Sequence, residues 1–332
     1  MRARNPAAFI ALLLLGSGII AGRTEASESS ALHPVCTYSI VAYDSTTGQF
    51  GAAVQSHYFK VADVIWVEPG LGAVATQSLV DFAYGPLGLE MMKNGRTAQE
   101  ALAGLLASDP NSSVRQVAMV DRYGNVATHT GKNCIAEAGH RQGRIYSVQA
   151  NLMRNNTVWD AMAQAFEETQ GDLADRMMAA LEAAEGEGGD IRGKQSAAMI
   201  VVTGEPTGMS WLDRIVDIRV DDSPEPLAEL RRLLNITRAY DFMNQGDEYI
   251  AWKKYDEANE AYARAAELAP GNPEILFWHA VTLVSVGEVE RSLPIFREVF
   301  TADESWRELV PRLVDSGQLP DDKAVILSIT VQ

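Results

Sequence analysis

Between Cys36 and Gln55 the chain alternates with a period of two. Tyr38, Ile40 and Ala42 fall on one side, and Ser39, Val41 and Tyr43 on the other. Asp44-Ser45-Thr46-Thr47-Gly48 then supplies turn chemistry before the run Phe50 to Gln55. The pattern predicts a β-hairpin. Two further β-rich runs, 61–67 and 72–77, are separated by Glu68-Pro69-Gly70 and predict two more strands. The period then becomes helical: Leu87, Leu89, Met91 and Met92 predict a helix between Gly85-Pro86 and Asn94-Gly95. Thr97 with Glu100 is a capping box that opens a second helix at 98–107, and Asp109-Pro110 closes it. Strands are predicted at 114–120, 126–130 and 145–150, then helices at 158–169 and 173–185, the second running into Gly186-Glu187-Gly188-Gly189. Strands at 196–203 and 214–220 complete the set, and a helix at 224–234 leads away from it.

Strands and helices therefore come in runs rather than in strict alternation. That order predicts antiparallel sheets, and two sheets sandwiched between two helical layers would bury both faces of each. The rest of the chain has a different pattern. Gly246, Tyr249, Tyr255, Ala258, Tyr262 and Ala265 are followed, 34 residues later, by Ala280, Leu283, Val289, Ser292, Phe296 and Val299. This is the period and the small/large alternation of a tetratricopeptide repeat. We read 239–318 as a tetratricopeptide-like helical domain, capped by a helix at 306–313, and 319–332 as an extended tail.

Composition narrows the function classes. The 332 residues are 47% hydrophobic, ordinary for a folded protein with a core. A formal charge of −16 makes nucleic acid and anionic lipid surfaces poor partners. Arg2 and Arg4 ahead of the apolar stretch 7–20, with small and polar residues up to Ala26, have the layout of a secretory signal peptide at 1–26. We expect an exported protein, periplasmic or extracellular, with no membrane span once that leader is removed. In such a compartment the two cysteines, Cys36 and Cys134, are expected to form a disulfide. No Cys-x-x-Cys and no paired histidines are present, so neither a metal nor a cofactor is expected.

Several phrases, in order, carry a resemblance: TYSIVAYD, GAAVQS, GAVATQ, YGPLGLEMM, SVQAN, GGDIRGKQSAAMIVV and VDIRVDD. Over residues 36–235 the chain resembles the bacterial family catalogued as domain of unknown function 1028. The resemblance implies an α+β fold, a four-layer αββα sandwich like that of the Ntn hydrolases. The helical appendage follows it. It implies no established substrate. The first strand of that family reads Thr-Phe-Ser-Ile-Val, which Thr37-Tyr38-Ser39-Ile40-Val41 matches with Tyr for Phe. This chain departs from the family in its upstream segment, because a cut near Ala26 leaves about ten residues ahead of Thr37.

The departure bears directly on chemistry. An N-terminal nucleophile uses its own free α-amine as base, and an amide nitrogen cannot serve. Thr37 is the candidate nucleophile that best fits the strand, and Cys36 is the intrinsically stronger one unless it is bonded to Cys134. Ser56, next to Gln55 at the end of the second strand, and Lys60 beyond it are candidate catalytic neighbours, Lys60 as a charge that lowers a pKa. Gln55, Gln77, Gln149 and Asn151 are polar ends of apolar strands, suited to binding carbonyl groups of a substrate. Asp190 and Arg192, in the loop Gly188-Gly189-Asp190-Ile191-Arg192-Gly193, could clamp a carboxylate or zwitterionic ligand. Two functions fit: an amidohydrolase acting on peptide, acyl-amino-acid or cell-wall amides, or a non-catalytic ligand-binding or assembly module. In either, the partners are a small-molecule or peptide ligand and, through the helical repeats, a protein.

Overall fold

The computed structural model describes residues 33–332; the leader expected at 1–26 lies outside them. The predicted hairpin forms from β2 (Thr37–Tyr43) and β3 (Phe50–Ser56), with Thr37 opposite Ser56 and Tyr43 opposite Phe50. A three-residue strand, β1 (His33–Val35), precedes it. The chain continues with β4 (Ile65–Glu68), β5 (Gly72–Val80), α1 (Tyr84–Lys93), α2 (Ala98–Ser108), β6 (Arg115–Asp121) and β7 (Val126–Thr130). Next come β8 (Gly139–Gln142), β9 (Tyr146–Ala150), α3 (Val158–Glu168), α4 (Leu173–Gly186), β10 (Ser196–Val202), the short α5 (Ser210–Asp213) and β11 (Arg214–Val220).

The strands build two antiparallel sheets. The first has the order β1-β5-β6-β7, with β4 also paired to β5, and the second runs β11-β10-β3-β2-β9-β8. Alternation decides what each face buries. Val41, Ala52, Val54, Ala73, Ala75, Ala118 and Val120 form the apolar core between the sheets. On its other face the second sheet packs Ile40, Ala53, Val148 and Met199 against Met162 and Phe166 of α3 and Met177 and Leu181 of α4. The first sheet likewise packs Val74, Val117 and Met119 against Leu89 and Met92 of α1 and Leu102 of α2. The Thr97 capping box forms as expected: its side chain accepts from the Glu100 N–H, and the Glu100 carboxylate accepts from the Thr97 N–H at 2.9 Å.

Three local expectations are corrected. Residues 61–64 form a 3-10 turn rather than strand, because Lys60 takes φ 61° and the Val61 N–H is drawn to Ser196 Oγ at 3.1 Å. Strand β8 was not legible: Gly-His-Arg-Gln carries no apolar alternation and becomes a strand only by pairing with β9. The tail is not extended: Lys323–Thr330 is a helix, with Asp322 accepting from the Ala324 and Val325 N–H groups and Ile329 buried. Val325, Ile326 and Ile329 are β-branched, but burial of one face against the preceding helices decides for helix.

A long helix, α6 (Pro226–Ala251), leads into α7 (Tyr255–Leu268), α8 (Pro273–Ser285), α9 (Val289–Ala302), a 3-10 helix Glu304–Leu309, α10 (Val310–Asp315) and α11 (Lys323–Thr330). No break separates 224–234 from the repeat region, as nothing between Leu234 and Arg238 stops a helix. Leu227, Leu230 and Leu234 join the core of the second sheet, while Ala239 and Met243 join that of the helices. Arg231 and Arg238 tie the same helix to Glu182, Asp175 and Asp172.

Candidate functional site

The hairpin register brings Thr37 and Ser56 together at one end of the second sheet, opposite each other and fully buried. Both lie on the face that looks at the first sheet, as Val41 and Val54 on the same strands do. Cys36 lies where the chain crosses from β1, in the first sheet, to β2, in the second. Its carbonyl oxygen accepts from Ser56 Oγ at 2.5 Å and from Arg192 Nη2 at 2.7 Å. The peptide bond to Thr37 is thus held by a hydroxyl and a cation. The Thr37 hydroxyl reaches back over that bond and donates to the Val35 carbonyl oxygen at 2.9 Å.

Arg192 is aimed by Asp190. Nε donates to Oδ1 at 3.0 Å and Nη2 to Oδ2 at 2.6 Å, a two-pronged pairing that fixes the guanidinium plane. The Asp190 carboxylate is completely buried, also accepts from the Arg192 N–H at 2.9 Å, and leaves Arg192 partly exposed. The glycines explain how so polar a loop closes over the strand ends. Gly188, Gly189 and Gly193 all have positive φ, and a Cβ on Gly189 would sit 2.6 Å from the Glu185 carboxylate. Burial is the main influence on Arg192 and by itself lowers its pKa; the bonds and charge of Asp190 outweigh it, so the net shift is upward.

Beneath Thr37 the two sheets are joined by amides. Gln77 Nε2 donates to the Thr37 carbonyl oxygen at 2.9 Å and to Gln116 Oε1 at 2.7 Å, and the Asn151 N–H donates to the Thr37 carbonyl oxygen at 3.1 Å. Asn151 Nδ2 donates to Gln116 Oε1 at 2.9 Å, Ser39 Oγ to Gln77 Oε1 at 2.7 Å, and Gln149 Nε2 to Ser39 Oγ at 3.2 Å. Every member is buried. The network fixes the backbone of Thr37 from below and stiffens it.

The structure sorts the expected residues accordingly. Thr37, Cys36, Ser56, Asp190 and Arg192 converge on one peptide bond. Gln77, Gln149 and Asn151 form the floor and are fully buried. Gln55 is buried too, but it lies opposite Tyr38 on the helix-facing side of the sheet with Ala53, so it is turned away from Thr37. Lys60 does not join the site: its Nζ pairs with Asp63 at 3.2 Å on the surface, its side chain 41% exposed. The cation beside Cys36 is Arg192 instead. The expected Cys36–Cys134 disulfide is likewise corrected, since both are free thiols. Cys134 turns toward β6, where its thiol donates to the Arg115 carbonyl oxygen at 3.3 Å. Cys36 is a poor nucleophile as it stands, because burial, opposed by Arg192 and aided by Asp190 and Cys134, pushes its thiol up to about 11.

Sequence reasoning missed Gln116 and Ser39. The signal for Gln116 was present, an amide heading the apolar run Val117-Ala118-Met119-Val120, as Gln77 ends one; Ser39 gave none beyond its place in the alternation. Among the described residues no three His, Cys, Asp or Glu side chains converge to hold a metal ion, and no helix is long and apolar enough to cross a membrane. What the site offers is a carbonyl polarised by two strong donors, with a hydroxyl on the adjoining residue.

The model of a family of unknown function, DUF1028, matches residues 37–230, so that its first matched residue is Thr37. The crystal structure of a DUF1028 protein from Silicibacter pomeroyi is similar, with 28% identity, a TM-score of 0.54, and coverage of 60% of this chain and 88% of that one. No curated protein matches the chain.

Proposed function

The chain belongs to the family of unknown function DUF1028, and we propose that it is a latent amide hydrolase whose nucleophile, Thr37, is released by opening of the Cys36–Thr37 bond. One observation carries the reading: the carbonyl oxygen of that bond accepts from both Ser56 and Arg192. Two helical layers around two antiparallel sheets, the αββα order of Ntn hydrolases, support it.

In the opening step the Thr37 hydroxyl attacks the Cys36 carbonyl carbon. Charge gathers on an oxygen that already faces a guanidinium and a hydroxyl. The C–N bond breaks, the hydroxyl proton passes to the departing nitrogen, and an ester remains until water hydrolyses it. Cys36 is left as a C-terminal carboxylate and Thr37 as a free amino terminus. The freed amine then serves as base for the same hydroxyl, and Ser56 with Arg192 receives the carbonyl oxygen of a substrate amide. Cys36 takes no part as nucleophile, its thiol being protonated at neutral pH.

The leader-like composition of 1–26 supports an exported protein, and the helical repeats support a protein partner, both as proposals. Reaction with an electrophilic β-lactone tests the hydrolase reading. Wild-type protein is expected to carry one acyl adduct on a peptide that begins at Thr37, and Thr37→Ala protein none. An adduct elsewhere, or none on wild type, contradicts it.

A further inference from the structure

We propose that the strand slot filled by β1 is the acyl-binding site of the released nucleophile, and that its substrate is an extended peptide. That peptide presents an apolar residue followed by a small one immediately before the amide bond attacked. The inference rests on the reading of Thr37 as a latent nucleophile.

Among the described residues strand β1 pairs with β5 alone, His33 with Val80, Pro34 with Leu79 and Val35 with Ser78. It takes up the edge of β5 beyond the stretch that β4 occupies at Gly72–Ala75, while β6 holds the opposite edge. Pro34 has no N–H to give, as suits an edge strand, so His33 and Val35 supply the donors. This strand leads straight into the carbonyl that Ser56 and Arg192 hold. The segment ahead of Thr37 therefore lies as a bound acyl chain would, main chain on a sheet edge and reacting carbonyl at the oxyanion donors. Peptides recognised by strand addition bind in the same way.

The occupant's side chains give the specificity. Val35 and Cys36 are 0% and 1% exposed. Val35 belongs to the apolar core between the sheets, together with Val54, Val61 and Val80. Removing it uncovers apolar surface of the core, which an apolar side chain in its place covers again. Cys36 is a small side chain and is 1% exposed, so the residue whose carbonyl is attacked is small.

The edge itself does not depend on β1. Arg115, 1% exposed, donates from Nη1 to the Leu79 carbonyl oxygen at 2.6 Å, and is fixed by Nε to Asp109 Oδ2 at 2.7 Å. Ser78, paired with Arg115 on the β6 side, holds φ 73°, a strained setting for a residue with a side chain. Once the bond is opened and the segment leaves, the slot passes to substrate. The Thr37 oxygen then takes the peptide's acyl group, the leaving amine takes the proton, and water releases the peptide as an acid.

The test uses full-length protein that has matured to a Thr37 terminus, freed of the cut segment by gel filtration under reducing conditions. It is assayed on acetyl-Pro-Val-Ala p-nitroanilide, the same compound N-methylated at Val, acetyl-Pro-Val-Arg p-nitroanilide and acetyl-Ala p-nitroanilide. The first is expected to be hydrolysed best. N-methylation, which deletes one main-chain bond to β5, is expected to lower kcat/KM about tenfold, Arg for Ala tenfold or more, and loss of Pro-Val a hundredfold. Insensitivity to N-methylation, equal rates on acetyl-Ala p-nitroanilide, or no hydrolysis of any of the four by a Thr37-terminated, lactone-reactive protein overturns the acyl-site inference alone. A chain that stays uncut overturns the nucleophile reading and this inference with it.

Discussion

Arg192 was legible only as half of a polar loop; its aim was not. The sequence placed it two residues from Asp190 and suggested that the two would clamp a ligand. In the fold they clamp each other, and the free edge of the guanidinium turns to the Cys36 carbonyl oxygen, 156 residues away in sequence. Such a pairing is set by how two sheet ends meet, which local pattern does not encode. Two substitutions separate its roles. Arg192→Met leaves the buried Asp190 carboxylate without its cation and is expected to destabilise the fold by about 3–5 kcal/mol. Combined with Asp190→Asn, which removes that charge, most of the stability should return, yet opening of the Cys36–Thr37 bond should stay about 100-fold slow or worse. Urea unfolding followed by quantified cleavage reads both effects. Unchanged cleavage in the double variant would deny Arg192 its place at the carbonyl.

Most elements were readable because their periods are unambiguous. β2, β3, β7 and β11, and the helices α2 to α4, fall within a residue or two of the predicted runs. The failures share a cause, in that tertiary contacts overrode a weak local signal, as for β8 on its neighbour and α11 on the helices before it. The repeats were legible because small residues must meet large ones at fixed spacing. A Cβ on Gly246 would lie 2.7 Å from the Tyr262 ring, and Ala280 and Phe296 are fully buried at the equivalent positions. His279 of α8 stacks on Tyr262, ring centroids 6.0 Å apart. Burial, reinforced by Arg291, lowers its pKa below the ordinary histidine value of 6.5. The folded helices thus bind that proton less tightly than the unfolded chain does. Its contribution to stability is complete above the unfolded value and is lost as pH falls toward the lowered one. Acidification from pH 7.5 to pH 5 should therefore cost wild type more stability than it costs His279→Gln, measured by urea unfolding at each pH. An equal loss in both would contradict the assignment.

At the scale of the whole molecule the segment ahead of Thr37 is the feature that gives the fold its meaning. What the alternation revealed was a strand beginning with Cys36 and Thr37; what it hid was that β1 belongs to the other sheet, so that the Cys36–Thr37 bond bridges the two. Opening that bond frees the amine without breaking either sheet, since β2 stays paired to both β3 and β9. The most direct test is intact-mass and N-terminal analysis, under reduction, of purified protein incubated over time beside its Thr37→Ala variant. The expected result is a species beginning at Thr37 that accumulates in the wild type and never in the variant. A wild-type chain that remains folded with its Cys36–Thr37 bond whole throughout would contradict the nucleophile assignment.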